Sequence, residues 1–422
     1  MISETMPTQR IAESSAVPGA DCLDSLPLPR SQALSLAETW GTPLYVYQGD
    51  RLQQTIQHIT QSVPYPHTQF HFASVTNGNV NLLQRFRAAG WGLHANTPGD
   101  IFLGLHAGFD PAHIVYSGSN LNRVDLAQVL DWGVTMLNLD SLAQVRQLGE
   151  VWSARQDALP LRVGLRLNLP EITGESRIGV HPREFAEAVA IAHSFGLPIT
   201  GLHFYRGTGT NATQAFTQVM EQVIATAQQL PDWRYLDFGG GFGYPYRHGG
   251  ATFDWQQFGQ ALTAQLERLP HPIDLMIEPG RAAIAGCAFL LARIVSVKWQ
   301  GDRQIVGVDT TVGNLSVPSV HGGYREIVSW HDPAQPRYTT DVCGNTTYSR
   351  DYLGRSMPLP ALAEGDLLAI LDVGAYGYAM SSHFLHRPRP AEVLLDGDNI
   401  RLIRQREDYS VLLNHQILDD KD

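Results

Sequence analysis

The sequence Tyr235-Leu236-Asp237-Phe238-Gly239-Gly240-Gly241-Phe242 joins a short β-type run to three consecutive glycines. Consecutive glycines let the backbone approach a ligand closely and turn its N–H groups inward, which makes a nest for an anion. A tight turn is the simpler interpretation, because glycine is common in turns. The fold around this stretch decides between the two interpretations.

β-type runs and amphipathic helices alternate around this stretch, from residues 42–47 to residues 275–278. About eight strand–helix units over roughly 240 residues predict an α/β fold of the (β/α)8 TIM-barrel type. A doubly wound open sheet is the alternative, but it requires a glycine-rich turn after its first strand, and Gln48-Gly49-Asp50 is not one. The glycine run then ends a late barrel strand, where such barrels commonly bind phosphate.

The pattern changes after residue 284, where short β runs are separated by Gly, Asp and Pro turns. We therefore predict three parts. Residues 1–40 form a partly disordered N-terminal lead, whose attachment to the β domain is left open. Residues 41–284 form the barrel, and residues 285–422 form a C-terminal β domain.

Two further strand ends carry functional groups. Glu278-Pro279-Gly280-Arg281 places a carboxylate and a guanidinium near the glycine run. An ion pair at the protein surface is the alternative interpretation, and the nearby glycine run makes it less favoured. The segment 201–209 brings His203, Tyr205 and Thr208 to another strand end. His203 alone is more typical of a core residue, whereas Gly207 and Thr208 fit a second phosphate contact.

Composition limits the possible partners. The net charge of -11 and the charged fraction of 17% argue against nucleic acid or an anionic membrane as the main partner. No apolar run approaches the ~20 residues that span a bilayer, and residues 1–29 lack the apolar region of a secretory signal. Three widely spaced cysteines form neither a disulfide framework nor a zinc motif, so we expect a cytoplasmic protein without a metal site.

The chain resembles one enzyme family over residues 41–413. The resemblance rests on these strand ends, on Asp372-Val373-Gly374-Ala375-Tyr376-Gly377-Tyr378 and on the run 387–393. The family is the group IV decarboxylases that depend on pyridoxal phosphate (PLP), which includes the diaminopimelate, ornithine and arginine decarboxylases. The resemblance implies the alanine-racemase-like barrel (fold type III), an amino acid or amine as substrate, and a homodimer with shared active sites.

The resemblance also implies roles for individual residues. The cofactor phosphate would be held by the glycine run and by the Gly280-Arg281 turn, while Glu278 would face the pyridine nitrogen. Tyr376 would reach the phosphate or the substrate, and Cys343 would donate a proton in the partner subunit's site. The candidate catalytic residues are thus Cys343, Tyr376 and His203. The candidate cofactor-binding residues are Gly239, Gly240, Gly241, Glu278, Gly280, Arg281, Thr208, Tyr205, Tyr376 and His94.

The departures from the family pattern are as informative. The lysine that holds the cofactor as a Schiff base is replaced by Val75. Tyr205 occupies the position of a histidine that stacks on the cofactor ring in the family. His94 replaces an aspartate, and Gly344 replaces the acidic residue that follows the cysteine. Val317 and His321 replace an arginine and a tyrosine that bind the distal carboxylate in the diaminopimelate branch, so that substrate is not favoured here.

Three interpretations follow from the missing lysine. The first is a decarboxylase that binds PLP non-covalently and works by an altered mechanism, with His71, His94 or Tyr205 as the base. The second is a regulatory or carrier homologue that binds PLP or a PLP–amino acid adduct. In the third, the phosphate frame binds another anion and no PLP. Retention of Cys343 and Tyr376 favours the first interpretation, and the combined loss of the lysine, the histidine and the acidic residue favours the second.

Overall fold

The protein combines a parallel barrel with a β domain in a computed structural model that describes residues 26–155, 160–207 and 209–417. The first nine strands are β1 (Leu44–Gln48), β2 (Thr68–Ala73), β3 (Gly92–Ala95), β4 (Ile114–Tyr116), β5 (Met136–Leu139), β6 (Arg162–Arg166), β7 (Ile199–His203), β8 (Tyr235–Asp237) and β9 (Asp274–Ile277). Strands β2 to β9 pair in chain order, and β9 closes on β2. The predicted barrel is therefore confirmed.

Helices alternate with the barrel strands, as the amphipathic pattern predicts. In chain order, the described α-helices of the barrel and the β domain are α1 (Arg30–Trp40), α2 (Gly49–Gln61), α3 (Val80–Ala88), α4 (Pro98–His106), α5 (Arg123–Asp131), α6 (Leu142–Ser153), α7 (Pro170–Thr173), α8 (Phe185–Ser194), α9 (Thr213–Thr217), α10 (Met220–Ala227), α11 (Trp255–Leu266), α12 (Arg281–Ile284) and α13 (Val317–Val320). Helix α4 begins with a capping box between Thr97 and Asp100, with proline at its first position. None of the described helices is both long and apolar enough to cross a bilayer.

Aromatic packing fixes the glycine run at the end of β8. Phe238 and Phe242, which flank the three glycines, are both buried. Phe242 stacks on Phe216 with ring centroids 4.8 Å apart, and Phe238 contacts Phe258 edge-on at 5.6 Å. Buried aromatic pairs add to the hydrophobic stabilisation of a core. The flexible glycines are therefore held at both ends by side chains in the layer between barrel and helices.

The remaining strands form the β domain. They are β10 (Ala288–Gln300), β11 (Arg303–Val308), β12 (Ile327–Ser329), β13 (Arg337–Cys343), β14 (Tyr352–Pro360), β15 (Leu367–Ile370), β16 (Ala391–Asp396) and β17 (Asn399–Arg404). Together with β1 they make a sheet in the order β14-β13-β11-β10-β1-β16-β17, with β15 joining β10 to β12. Most neighbours are antiparallel, as expected from the short runs and frequent turns.

The placement of β1 corrects the sequence prediction. We expected residues 42–47 to open the barrel, whereas β1 pairs with β10 and β16 in the β domain. The barrel instead begins at Thr68, with the strand that precedes Val75. A buried strand followed by an amphipathic helix has the same local pattern in either sheet, so sequence periodicity could not assign the pairing partner.

The N-terminal lead is partly ordered against this domain. Residues 1–25 lie outside the described part of the chain, but α1 packs Ala33, Leu36 and Ala37 against Leu44 and other residues of the sheet. The described part of the lead, residues 26–40, therefore packs on the β domain, and its helix α1 is ordered.

Glu392 on β16 joins the two structural units. Its side chain is fully buried and accepts hydrogen bonds from Tyr47 Oη (2.7 Å) and Asn79 Nδ2 (2.8 Å), and it also pairs with Arg404. Asn79 lies in the loop that leaves barrel strand β2, immediately before α3. The carboxylate thus connects the barrel mouth to the β domain through two buried partners and the partly exposed Arg404.

We expect Glu392→Ala to lower the free energy of unfolding by about 3–5 kcal/mol, because it leaves buried polar partners and Arg404 uncompensated. Chemical denaturation of the purified protein measures the effect. Glu364→Ala, in an exposed turn, is the matched control and should change stability by less than about 0.5 kcal/mol. Equal stabilities of the two variants would contradict the role given to Glu392.

Candidate active site

A cavity of about 230 Å³ lies where the carboxyl ends of the barrel strands meet the β domain. It is lined by Ala73, Val75, Thr76, His94, Asn96, Arg166, His203, Tyr205, Gly209, Gly240, Gly241, Phe242, Glu278, Gly280, Arg281 and Tyr376. Parallel strands of a barrel all point their carboxyl ends to one face, so residues distant in sequence converge there. Tyr376 is the contribution of the segment after β15.

Most of the predicted site residues therefore meet in one place. Two do not line the cavity, and a third lies outside the described residues. Gly239 is buried behind it, where its N–H bonds Asp237 (3.0 Å) and its carbonyl accepts the Glu278 N–H (2.8 Å). Thr208 lies outside the described residues. Cys343, on β13 of the sheet, is half-buried and lies outside the cavity of its own chain.

The backbone of the glycine run packs directly against the backbone of the loops after β7 and β9. Gly239 and Gly241 have φ values of 66° and 97°, in the left-handed region that favours glycine. A Cβ on Gly241 would lie 2.2 Å from the Gly207 carbonyl oxygen, and one on Gly240 would lie 2.6 Å from that of Glu278. These positions therefore exclude any side chain, and the loops after β7, β8 and β9 form one continuous backbone surface.

Glu278 is a carboxylate buried on the floor of the cavity. Its Oε2 lies 3.2 Å from His203 Nε2, and its Oε1 lies 3.5 Å from His94 Nε2 without a hydrogen bond. Burial raises the pKa of Glu278 to about 7, against the opposing influence of Asp237 and Arg166. The Glu278 carboxyl thus titrates near neutral pH and has one buried oxygen free to accept a proton donor.

The groups around Glu278 have shifted pKa values as well. Burial, reinforced by the charge of Glu278, holds the pKa of Asp237 well above its usual range. Burial lowers the pKa of His203 to about 4 and also lowers that of His94. Both histidines are therefore neutral at neutral pH. The His203 contact with Glu278 is a hydrogen bond rather than an ion pair, and the longer approach of His94 is neither.

Guanidinium and phenol groups form the rim of the cavity. Arg166 lies over the Tyr205 ring, with its guanidinium carbon 5.1 Å from the ring centroid. Arg281 lies 5.1 Å from the Tyr376 centroid on the other side. The rim is therefore positively charged and aromatic, while the floor carries acidic groups.

Val75 occupies a short 3-10 turn, Ser74–Thr76, directly after β2. Its side chain lines the cavity and is 45% exposed, which is unusual for valine. Asn77 donates to the Gly374 carbonyl (3.0 Å), and the Tyr376 N–H donates to the Thr76 carbonyl (2.9 Å). Backbone contacts with the β domain thus hold Val75 at the cavity mouth.

Comparison with known proteins identifies the family. Residues 50–285 match the model of the pyridoxal-dependent decarboxylase, pyridoxal binding domain. Diaminopimelate decarboxylase of Methanothermobacter thermautotrophicus is 32% identical over 410 residues, covering 92% of this chain and 94% of the relative. The chain belongs to the pyridoxal-dependent decarboxylases.

Solved structures agree with this assignment. Diaminopimelate decarboxylase of Helicobacter pylori, complexed with L-lysine, has a TM-score of 0.83 at 26% identity and covers 90% of this chain and 98% of its own. The lysine/ornithine decarboxylase of Vibrio vulnificus, at 20% identity and TM-score 0.77, shares the fold. Pyridoxal phosphate is the cofactor of the family, and its members are carboxy-lyases.

The residues present fit this cofactor. The backbone surface of Gly240, Gly241 and Gly280, with Arg281 beside it, suits a phosphate group. The unpartnered Oε1 of Glu278 suits a protonated ring nitrogen. A lysine is missing from the lining residues, and Lys298, the only described lysine, lies on β10 of the β domain.

Sequence reasoning missed several lining residues. Arg166, Asn96 and Thr76 each stand at or just after the carboxyl end of a barrel strand. A polar residue at that position is a usable signal, since strand ends of barrels carry functional groups. Conversely His71, proposed as a base, is buried away from the lining, and burial lowers its pKa to about 3. His71 is therefore removed from the candidates.

The titration of Glu278 generates a pH prediction for the cofactor-free protein. The pKa of Glu278 in the folded protein, about 7, exceeds the ordinary value of 4.5. Protonation of Glu278 therefore contributes fully to the free energy of unfolding below pH 4.5, and this contribution is lost as the pH rises through 7. Glu278→Gln removes this titration. Relative to that variant, the wild type should lose on the order of 1–3 kcal/mol of unfolding free energy across this range.

Denaturant titrations at a series of pH values measure this difference. Glu364→Gln is the matched control, because Glu364 is exposed and its substitution should leave the wild-type pH profile unchanged. A constant difference between wild type and Glu278→Gln from pH 4.5 to pH 7 would show that Glu278 does not titrate there.

Proposed function

We propose that the protein binds pyridoxal phosphate non-covalently and decarboxylates an amino acid without a cofactor-linked lysine. The observation that carries the proposal is the composition of one cavity. It keeps the glycine backbone surface, Arg281 and buried Glu278, and it presents Val75 where the family resemblance expects the lysine. The phosphate and ring contacts are thus retained while the covalent link is absent.

The cofactor, when bound, supplies an electron sink for the charge left by loss of carbon dioxide. Gly240, Gly241 and Gly280 would donate backbone N–H groups to its phosphate, and Arg281 would add a charged donor. Glu278 would accept the ring N–H, which its raised pKa and its free Oε1 permit. Each role rests on a group that lines the cavity and has an atom available.

Proton transfer has two remaining candidates among the bases first considered, His94 and Tyr205. His94 lines the cavity and has no hydrogen-bond partner at either ring nitrogen, but burial lowers its pKa well below the ordinary value, which makes it a weak base. His203 contacts Glu278 at 3.2 Å and is better suited to orienting that carboxylate. Tyr376 lies beside Arg281 at the rim, where it would contact the phosphate or the substrate.

The shared-site model adds Cys343 of a second chain. Cys343 stands at the end of β13, and burial raises its pKa to about 11, so the thiol is protonated at neutral pH. A protonated thiol is suited to donating a proton to a carbanion. Its position outside the cavity of its own chain is consistent with use by a partner, and the homodimer stays a prediction.

A regulatory or carrier role is the second candidate. The specific observation in its favour is the missing amine, because substrate and product exchange in this family is assisted by the lysine that Val75 replaces. The two roles differ in one measurable property, the release of carbon dioxide from an amino acid by the cofactor-saturated protein. Tight PLP binding without turnover on any amino acid would favour the carrier role.

Cofactor binding itself is tested with Gly240→Asp. A carboxylate here would collide with the Glu278 backbone and repel the phosphate, so PLP affinity should fall at least about a hundredfold in a fluorescence titration. Gly99→Asp, on the exposed first turn of α4, is the matched control and should bind PLP like the wild type. Circular dichroism confirms that each variant is folded. Unchanged affinity in folded Gly240→Asp would place the phosphate elsewhere.

Val75→Lys tests the position of the missing amine. A lysine at this point of the cavity mouth should form a borohydride-reducible bond to the cofactor, seen as one added cofactor mass per chain. Val124→Lys, on the exposed surface of α5, controls for non-specific labelling and should gain none under the same conditions. Wild type and Val75→Met should also gain none. A PLP-saturated Val75→Lys protein without the added mass would show that residue 75 does not face the aldehyde.

A further inference from the structure

A second cavity, of about 390 Å³, lies beside the cofactor cavity and is lined by four arginines. They are Arg247 from the loop after β8, Arg325 before β12, Arg350 before β14 and Arg355 on β14. Its described lining contains no aspartate or glutamate. Four arginines around one space bring like charges together, and an anion between them would offset their repulsion.

Arg325 is the deepest of the four. The residue is only 2% exposed, and its Nε has no hydrogen-bond partner within the described chain. Its Nη1 donates to the Tyr324 carbonyl at 2.7 Å, and no described carboxylate forms an ion pair with it. A buried charge without a counter-ion is costly, and an unsatisfied buried donor adds to that cost. The guanidinium therefore has an unmet requirement for an acceptor.

Aromatic rings hold the arginine side chains in place. The guanidinium carbon of Arg325 lies 3.7 Å from the Tyr246 centroid, and that of Arg247 lies 3.9 Å from the Tyr324 centroid. Arg355 is similarly placed over Tyr352, at 3.7 Å. Stacking on a ring fixes the plane of a guanidinium but leaves its edge donors free.

Tyr246 also links the two cavities. Its ring lies 5.8 Å from the guanidinium carbon of Arg281, which lines the cofactor cavity, and 3.7 Å from that of Arg325. One aromatic ring thus contacts a cation from each cavity. The arginine cavity is a separate space that adjoins the cofactor cavity.

We propose that Arg247, Arg325, Arg350 and Arg355 form a second anion-binding site that takes a phosphate or carboxylate group. Arginine forks match the oxygens of both groups and bind them through paired charge-assisted hydrogen bonds. This site goes beyond the proposed function, because none of its four arginines lines the cofactor cavity and its occupation does not require decarboxylation. The anion is either a free ion or the far end of a ligand that begins in the cofactor cavity.

The test uses inorganic phosphate as the probe and protein already saturated with PLP, so that the cofactor phosphate site is filled. Isothermal titration at constant ionic strength, maintained with sodium chloride, measures the affinity. Arg247→Met and Arg350→Met, both at exposed positions, should each weaken phosphate binding by about tenfold. Arg268→Met, an exposed arginine just after α11, is the matched control and should bind like the wild type.

Arg325→Met should reduce binding further, and unfolding curves show whether that buried variant is folded. If Arg325→Met is unfolded, the exposed variants Arg247→Met and Arg350→Met still decide the test. Absence of saturable phosphate binding to the wild type, or equal weakening by Arg268→Met, would overturn the proposal. Failure here would leave PLP binding in the other cavity unaffected, so the two proposals are tested separately.

A second titration separates the two sources of the anion. The protein is loaded with reduced phosphopyridoxyl-aminoadipate, which has a distal carboxylate, or with phosphopyridoxyl-norleucine, which has none. If the site takes the far end of a ligand, the first compound should abolish phosphate binding and the second should not. If it takes a free ion, phosphate should bind equally to both forms.

Discussion

Buried hydrogen bonds between the loop after β2 and the β domain determine the shape of the cavity. Asn77 bonds Gly374, Asn79 bonds Glu392, and the backbone of Thr76 bonds that of Tyr376. Each is shielded from water, so loss of any one leaves a polar group unsatisfied. The same contacts position Val75 on one side of the mouth and Tyr376 on the other. The β domain therefore completes a cavity whose other lining residues come from the barrel and its loops.

Charge is separated between the floor and the edge of this region. Burial raises the pKa of Asp237 well above its usual range and that of Glu278 to about 7, and it lowers that of His203 to about 4. At neutral pH Glu278 is therefore only partly ionised and His203 is uncharged. Arginines surround the floor, from Arg281 at the rim to the neighbouring arginine cavity. A ligand with an anionic periphery and a cationic ring nitrogen matches this distribution. The net charge of -11 does not reveal this distribution of charges, because it is a sum over the whole chain.

Sequence predicted the parts of the site that follow strand ends. The glycine run and Glu278-Pro279-Gly280-Arg281 each come directly after a β-type run, and parallel strands in a barrel bring such ends together. The partner of β1 was not predictable, since pairing depends on long-range contacts rather than on local periodicity. The arginine cavity was equally hidden. Its four arginines come from separate segments of the chain, and only the fold brings them to one space.

Valine at position 75 is compatible with this fold for a structural reason. The turn that holds residue 75 is fixed by backbone and neighbouring side-chain hydrogen bonds, none of which involves the side chain of Val75. A change there alters the cavity surface without removing a contact on which folding depends. Arg166 and Arg281 line the same cavity. Their positive charge does not depend on residue 75, which supports the non-covalent binding of an anionic cofactor that we propose.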